Sequence, residues 1–124
     1  MTSSARAVAY VRIYTDANDV TRFEDLEYGG VPVEFAPPAP PVFVTTALSA
    51  SSVMFLSFPK GWTDLAHPTP ARQLALLLSG EAIGTAGEEE RRFGAGTVCL
   101  MEDTSGPGHG LTALTDLVFA IVRL

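Results

Sequence analysis

Apolar and polar positions alternate with a period of two over short runs, and glycine, proline and acidic turns separate the runs. Ala7–Tyr14 sets Val8, Tyr10 and Arg12 on one side and Ala9, Val11 and Ile13 on the other, the pattern of a half-buried strand. The polar stretch Thr15–Arg22 reads as a turn. Phe23–Tyr28, Val31–Phe35, Val42–Thr46 and Val53–Phe58 read as further strands. Ala36–Pro41 carries four prolines, cannot enter a sheet interior and reads as a stiff connector. Leu74–Ser79 is a strongly apolar run closed by Gly80. Glu81–Thr85 and Arg91–Phe93 flank the polar turn Ala86–Glu89 as a hairpin. Thr97–Met101, Gly110–Leu114 and Leu117–Arg123 bring the total to about ten strands. No stretch has a helical repeat, and Pro68 and Pro70 interrupt Leu65–Leu76.

Composition narrows this picture to one all-β domain spanning residues 1–124. A chain of 124 residues suits a single domain, and 47% apolar against 18% charged residues suits a packed core. The net charge of -6 repels phosphate backbones, which argues against nucleic acid as a partner. No basic cluster grips an anionic membrane, and the apolar runs are too short to span one. Cys99 is the one cysteine, so no internal disulfide forms. With no signal-peptide pattern over Met1–Tyr10, the expected location is the cytoplasm.

Two segments carry a more specific pattern. Gly61 is followed by five residues and His67; Thr69 comes two residues later, Gln73 after three more, and Gly80 after a further six. A second segment starts at Gly96, runs through the strand Thr97–Met101 and the turn Ser105–Gly108, and reaches His109. The order motif, hairpin, motif, over 61–80 and 96–113, resembles the cupin superfamily. That family's first motif has a second histidine where Thr69 stands and a glutamate where Gln73 stands. In the second motif Glu102 replaces the usual proline and Ala113 the late asparagine, and the loop before His109 is two residues longer.

The resemblance implies a single antiparallel double-sheet jelly-roll barrel with a site at its mouth. It also implies a small-molecule ligand or substrate, and a homodimer formed through outer or edge strands. The apolar run Leu74–Leu78 agrees with a covered outer surface. Carried over residue by residue, the implied metal ligands are His67, Gln73 and His109, with Thr69 at the vacant place. Neutral imidazoles and a Gln carbonyl suit one divalent transition metal (Zn, Mn, Fe, Ni or Cu). The alternative is a metal-free pocket in which the two histidines act directly as acid and base.

Glu102, just before the His109 loop, is the candidate third catalytic group beside His67 and His109. Gln73, Thr69, Trp62 and Met101 are the candidate substrate-binding residues. Arg72 points to the face opposite Gln73 and reads as a surface or interface residue. Three functions stay open: an isomerase, cyclase or dehydratase acting on a small molecule, with specialised biosynthesis as one setting; a non-catalytic small-molecule binder; and a metal-dependent oxygenase. A fold of this type hosts all of them.

Overall fold

The structure is a computed structural model that describes residues 6–124. Among the described residues eleven strands follow one another: β1 Ala7–Thr15, β2 Thr21–Gly29, β3 Val31–Val33, β4 Val42–Val44, β5 Ser52–Phe58, β6 Gln73–Ser79, β7 Glu81–Ala86, β8 Glu89–Gly94, β9 Val98–Met101, β10 His109–Ala113 and β11 Leu117–Arg123. A six-stranded sheet has the order β2-β1-β9-β6-β11-β5, and it faces a three-stranded sheet of order β10-β7-β8. β3 and β4 form a separate two-stranded ribbon. Every strand pairing is antiparallel except β1 with β9, which run parallel through Val11–Cys99, Arg12–Leu100 and Ile13–Met101.

Turn chemistry sets the register. Asp16 closes the β1–β2 hairpin: its Oδ1 accepts the N–H groups of Asn18 at 2.8 Å and Val20 at 3.0 Å, the local side-chain-to-backbone bonding that aspartate favours. β2 is longer than the alternation predicts because Thr21 and Arg22 pair with Thr15 and Tyr14 across this turn. At Gly80 the chain leaves the six-stranded sheet for the smaller one. Its φ is +96°, and a Cβ there would sit 2.2 Å from the Asp116 carbonyl oxygen, so only glycine fits.

The core lies between the sheets. Ile13, Ala75, Cys99, Met101 and Ile121 from the large sheet pack with Phe23 and Ala86, and Leu77, Ala82, Ala113 and Leu117 form a second cluster. Phe93 touches both clusters. Alternation places Val8, Tyr10, Arg12, Leu74, Leu76, Val122 and Val53 on the outer face of the large sheet. Among the described residues no helix is long and apolar enough to cross a membrane.

Candidate functional site

His109 begins β10 and pairs with Ala86 of β7. Residues directly opposite in an antiparallel pair share a face, and Ala82, Gly84 and Ala86 face the interior. His109 therefore starts on the inner face of the small sheet, in line with Leu111 and Ala113. On its other side the segment before β6 adds a single bridge, in which His67 and His109 exchange both backbone hydrogen bonds, at 3.0 and 3.1 Å. Gly108 makes this approach possible. Its φ is +76°, and a Cβ on it would lie 1.9 Å from the carbonyl carbon and oxygen of His67. The two imidazoles end with ring centroids 5.2 Å apart.

Each histidine is held by its own carboxylate. The Nδ1–H of His109 donates to Asp103 Oδ2 at 2.7 Å, and Asp103 is 0% exposed. Thr69 Oγ1 donates to the other carboxylate oxygen at 2.7 Å, and the Thr69 N–H donates to the Asp103 carbonyl at 2.9 Å. An ionised carboxylate only accepts, so these bonds fix the His109 tautomer with its proton on Nδ1 and its lone pair on Nε2. His67 Nδ1 lies 2.7 Å from Asp64 Oδ2, and Asp64 Oδ1 accepts the Leu111 N–H at 3.1 Å. His67 is exposed and His109 mostly buried. Neither Nε2 has a protein partner among the described residues.

Between the sheets lies a cavity of about 120 Å³. Ala75, Leu77, Phe93, Met101, Phe119 and Ile121 make most of its wall, and Gln73 and Thr97 supply polar groups beside the Cys99 thiol. Burial pushes the Cys99 pKa up to about 12, so the thiol is inert packing rather than a nucleophile. The Asp103–His109 pair lies past the end of β9 and β6 at which Met101 and Gln73 stand, since Asp103 follows Met101 by two residues and Thr69 precedes Gln73 by four.

The structure redistributes several residues singled out in the sequence. His67, Thr69 and His109 come together. Met101 and Gln73 line the cavity, where the Gln73 amide donates to Met101 Sδ at 3.7 Å. Trp62 does not reach the site: its carbonyl accepts the Ala113 N–H at the opposite end of β10, and its ring packs edge-on against Phe58. Glu102 turns to the outer face, where Arg12 Nε and Arg72 Nε each bond it at 2.6 Å. Partial burial raises the Glu102 pKa, but the hydrogen bonds from Arg72 and Arg12 outweigh it and hold the carboxyl below its usual range. Asp103 takes the place beside His109 that was expected of Glu102. The signal was the strand period, because Met101 faces in, Glu102 out and Asp103 in.

Of the expected metal ligands His67, Gln73 and His109, the two histidines come together with both Nε2 atoms free of protein partners among the described residues, and Gln73 lines the cavity. Both Nδ1 atoms are taken by carboxylates, the Thr69 hydroxyl by Asp103, and the Gln73 amide sits in the apolar cavity. Among the described residues no group of three or more His, Cys, Asp or Glu side chains is placed to hold a metal ion.

No family model and no curated protein matches the chain. Solved structures do. A conserved protein of unknown function from Streptococcus pyogenes is 24% identical over 64% of this chain and 68% of that one, with a TM-score of 0.50. A cupin superfamily protein from Desulfitobacterium hafniense is 15% identical over 63% and 82%, with a TM-score of 0.48. A predicted oxalate decarboxylase from Thermotoga maritima is 21% identical over 78% and 93%, also at 0.48. Among the described residues the chain is built of strands, and its two facing sheets enclose a cavity in an all-β double-sheet fold.

Proposed function

We propose that this chain is an enzyme that moves a proton on a small organic molecule held at the Met101–Gln73 end of the barrel, with His109 as the base and Asp103 as its orienting partner. The observation that carries this reading is the fully buried Asp103 carboxylate, fixed by Thr69 and bonded to His109 Nδ1. A buried carboxylate is costly unless it is paired. Here it locks one tautomer, points the Nε2 lone pair outward from the pair and stabilises the imidazolium that forms when Nε2 takes a proton. His67, one bridge away, supplies a second imidazole able to return a proton. Isomerisation by a proton shift consists of such paired transfers; dehydration adds the breaking of a C–O bond with loss of water, and cyclisation the forming of a ring bond, each assisted by the same acid and base.

The cavity also supports a second reading, a binder without turnover, because a nearly apolar pocket with a few polar groups is the usual form of a small-molecule site. Deuterium exchange separates the two. Phenylacetone, a carbonyl compound with activated C–H bonds and one ring, is incubated with the protein in D2O and followed by NMR. Enzyme-dependent exchange that disappears in His109→Asn, with ligand binding retained, is the expected result. Binding with no exchange above the buffer rate would leave the chain a binder.

A further inference from the structure

Gln73 opens β6 at the end of the barrel past which the Asp103–His109 pair lies. Strand alternation sets Gln73, Ala75 and Leu77 in one inward row, and all three line the cavity. Gln73 is 8% exposed. An amide carried to such a depth costs free energy unless its hydrogen bonds are made, and natural structures rarely leave them unmade.

The protein supplies Gln73 with little. A carboxamide carries a donor NH2 group and an acceptor carbonyl oxygen. Nε2 donates to Met101 Sδ at 3.7 Å, and a thioether is a weak acceptor. Oε1 accepts no hydrogen bond among the described residues, and protein does not cover it completely. The other polar groups of the wall are engaged or weak. The Thr97 hydroxyl donates to the Gly94 carbonyl at 2.6 Å, and the Cys99 thiol is a weak donor. Among the described residues no charged side chain lines the cavity. Gln73 therefore brings to this apolar wall a strong donor and a strong acceptor that the fold itself does not use.

We propose that Gln73 is the anchor for the uncharged hydroxyl or carbonyl group of a small molecule whose apolar body lies among Ala75, Leu77, Phe93, Phe119 and Ile121. The carboxamide serves either group, accepting a hydroxyl proton at Oε1 or donating Nε2–H to a carbonyl oxygen. An ionised ligand group is rejected, because it would enter an apolar wall with no cation to pair it. The volume limits the body. A cavity of about 150 Å³ lined by aliphatic and aromatic groups accommodates benzene, and this one is about 120 Å³. One small ring or a short branched chain fits, and a fused ring system does not. Since Gln73 stands at the His109 end, the anchored polar group lies toward the histidines and the apolar body away from them. The proposal names the ligand class of the preceding reading and rests on the cavity taking that ligand, not on the proton chemistry of His109.

The test uses the full chain at neutral pH and three one-ring probes, phenol, toluene and benzoate, titrated by calorimetry and by ligand-observed NMR. A cavity without a polar partner prefers toluene, because the phenol hydroxyl loses its water and gains nothing. Phenol should therefore bind at least as tightly as toluene only through Gln73, and benzoate should bind far more weakly than phenol. Gln73→Met, which keeps the length of the side chain, should weaken phenol by at least about tenfold and leave toluene within about twofold, since an unmade hydrogen bond is charged to the hydroxyl alone. His109→Asn should leave the phenol-to-toluene ratio intact, so a failure of the catalytic reading is distinguishable from a failure of this one; loss of that ratio in His109→Asn would move the anchor from Gln73 to the histidines. A clear preference for toluene over phenol in the parent overturns the anchor without recourse to any variant. Benzoate binding as tightly as phenol overturns the uncharged class. No binding of any probe overturns both the anchor and the cavity as the ligand site.

Discussion

Asp103 and His109 stand six residues apart in sequence and 2.7 Å apart in space, with the carboxylate wholly out of water. The loop between them turns at Gly106 and Gly108, both at positive φ, which lets a six-residue excursion return to its start. Removing one partner is costly, because it leaves the other buried and unmatched. Asp103→Ala should lower the unfolding free energy by about 3 kcal/mol, from two lost hydrogen bonds to a charged acceptor. Thr69→Val, which removes one of them, should cost about 1.5 kcal/mol. Urea unfolding of the two variants and of the double variant measures both. Additive losses would show that Thr69 and Asp103 do not act as one network.

Gly108 is the residue that lets His67 lie against His109. Gly108→Ala would place a Cβ inside the His67 carbonyl, so the bridge must open or the loop must refold. The His67 and His109 amide protons, protected by their mutual hydrogen bonds, should exchange with solvent far faster in this variant. Gly61→Ala is the control. Its φ of +88° is equally left-handed, but nothing lies within 4 Å of the added Cβ, so only the backbone cost of about 1–2 kcal/mol remains. Equal losses in the two variants would show that crowding at His67 is not what requires Gly108.

Strand periodicity carried most of the fold, because a residue that alternates in sequence alternates across a sheet. It located β1, β5, β6, β9 and β11 to within a residue or two. It did not show the parallel contact of β1 with β9, since alternation is blind to strand direction. The motif spacing likewise brought His67, Thr69 and His109 to one place, but spacing does not say what a side chain bonds. Gln73 occupies a ligand position of the family pattern and faces an apolar wall instead. Glu102 and Asp103 are adjacent acids, and one step of the pleat sends the first to Arg12 and Arg72 and the second to His109.

The outer face of the large sheet gives a prediction about assembly. Val53 is 60% exposed and Phe55 69%, on an edge strand whose far side is unpaired, and Leu78 nearby is 52% exposed. Exposed apolar groups on an open edge are a surface that a second copy of the chain can cover. We propose a homodimer through this face. Sedimentation equilibrium should return twice the chain mass, and Phe55→Glu should return the monomer. A monomeric parent at micromolar concentration sinks the proposal.

Cys99 gives a prediction about reactivity. Its thiol faces the cavity and burial pushes its pKa from 9.0 up to about 12, so almost no thiolate exists at neutral pH. A disulfide reagent at pH 8 should label the folded chain far more slowly than the chain in urea. The same shift has a sign for stability. The unfolded thiol ionises from about pH 9 and the folded one does not until about pH 12, so its ionisation lowers stability as pH rises through that window. Cys99→Ala should flatten this part of the alkaline limb. Rapid labelling of the native protein at pH 8 would show that the thiol is open to solvent.

Glu102 governs the opposite limb. Its folded pKa lies below the unfolded value because the hydrogen bonds from Arg72 and Arg12 outweigh the cost of partial burial. A carboxyl depressed in this way contributes stability in full above its unfolded pKa, near 4.5, and that contribution fades as pH falls through the folded value. Arg12 is also bonded to Glu24 at 3.1 Å and lies over the Tyr14 ring, so it keeps two contacts when Glu102 is neutralised. Arg72 has Glu102 as its carboxylate partner among the described residues. Glu102→Gln should therefore lower the urea midpoint at pH 7 and reduce the further drop between pH 5 and pH 3. The Asp103–His109 pair is separate from this network, so the same variant should leave ligand affinity unchanged. A change in affinity without a change in the acid limb would place Glu102 at the site after all, and reverse the assignment of the two adjacent acids.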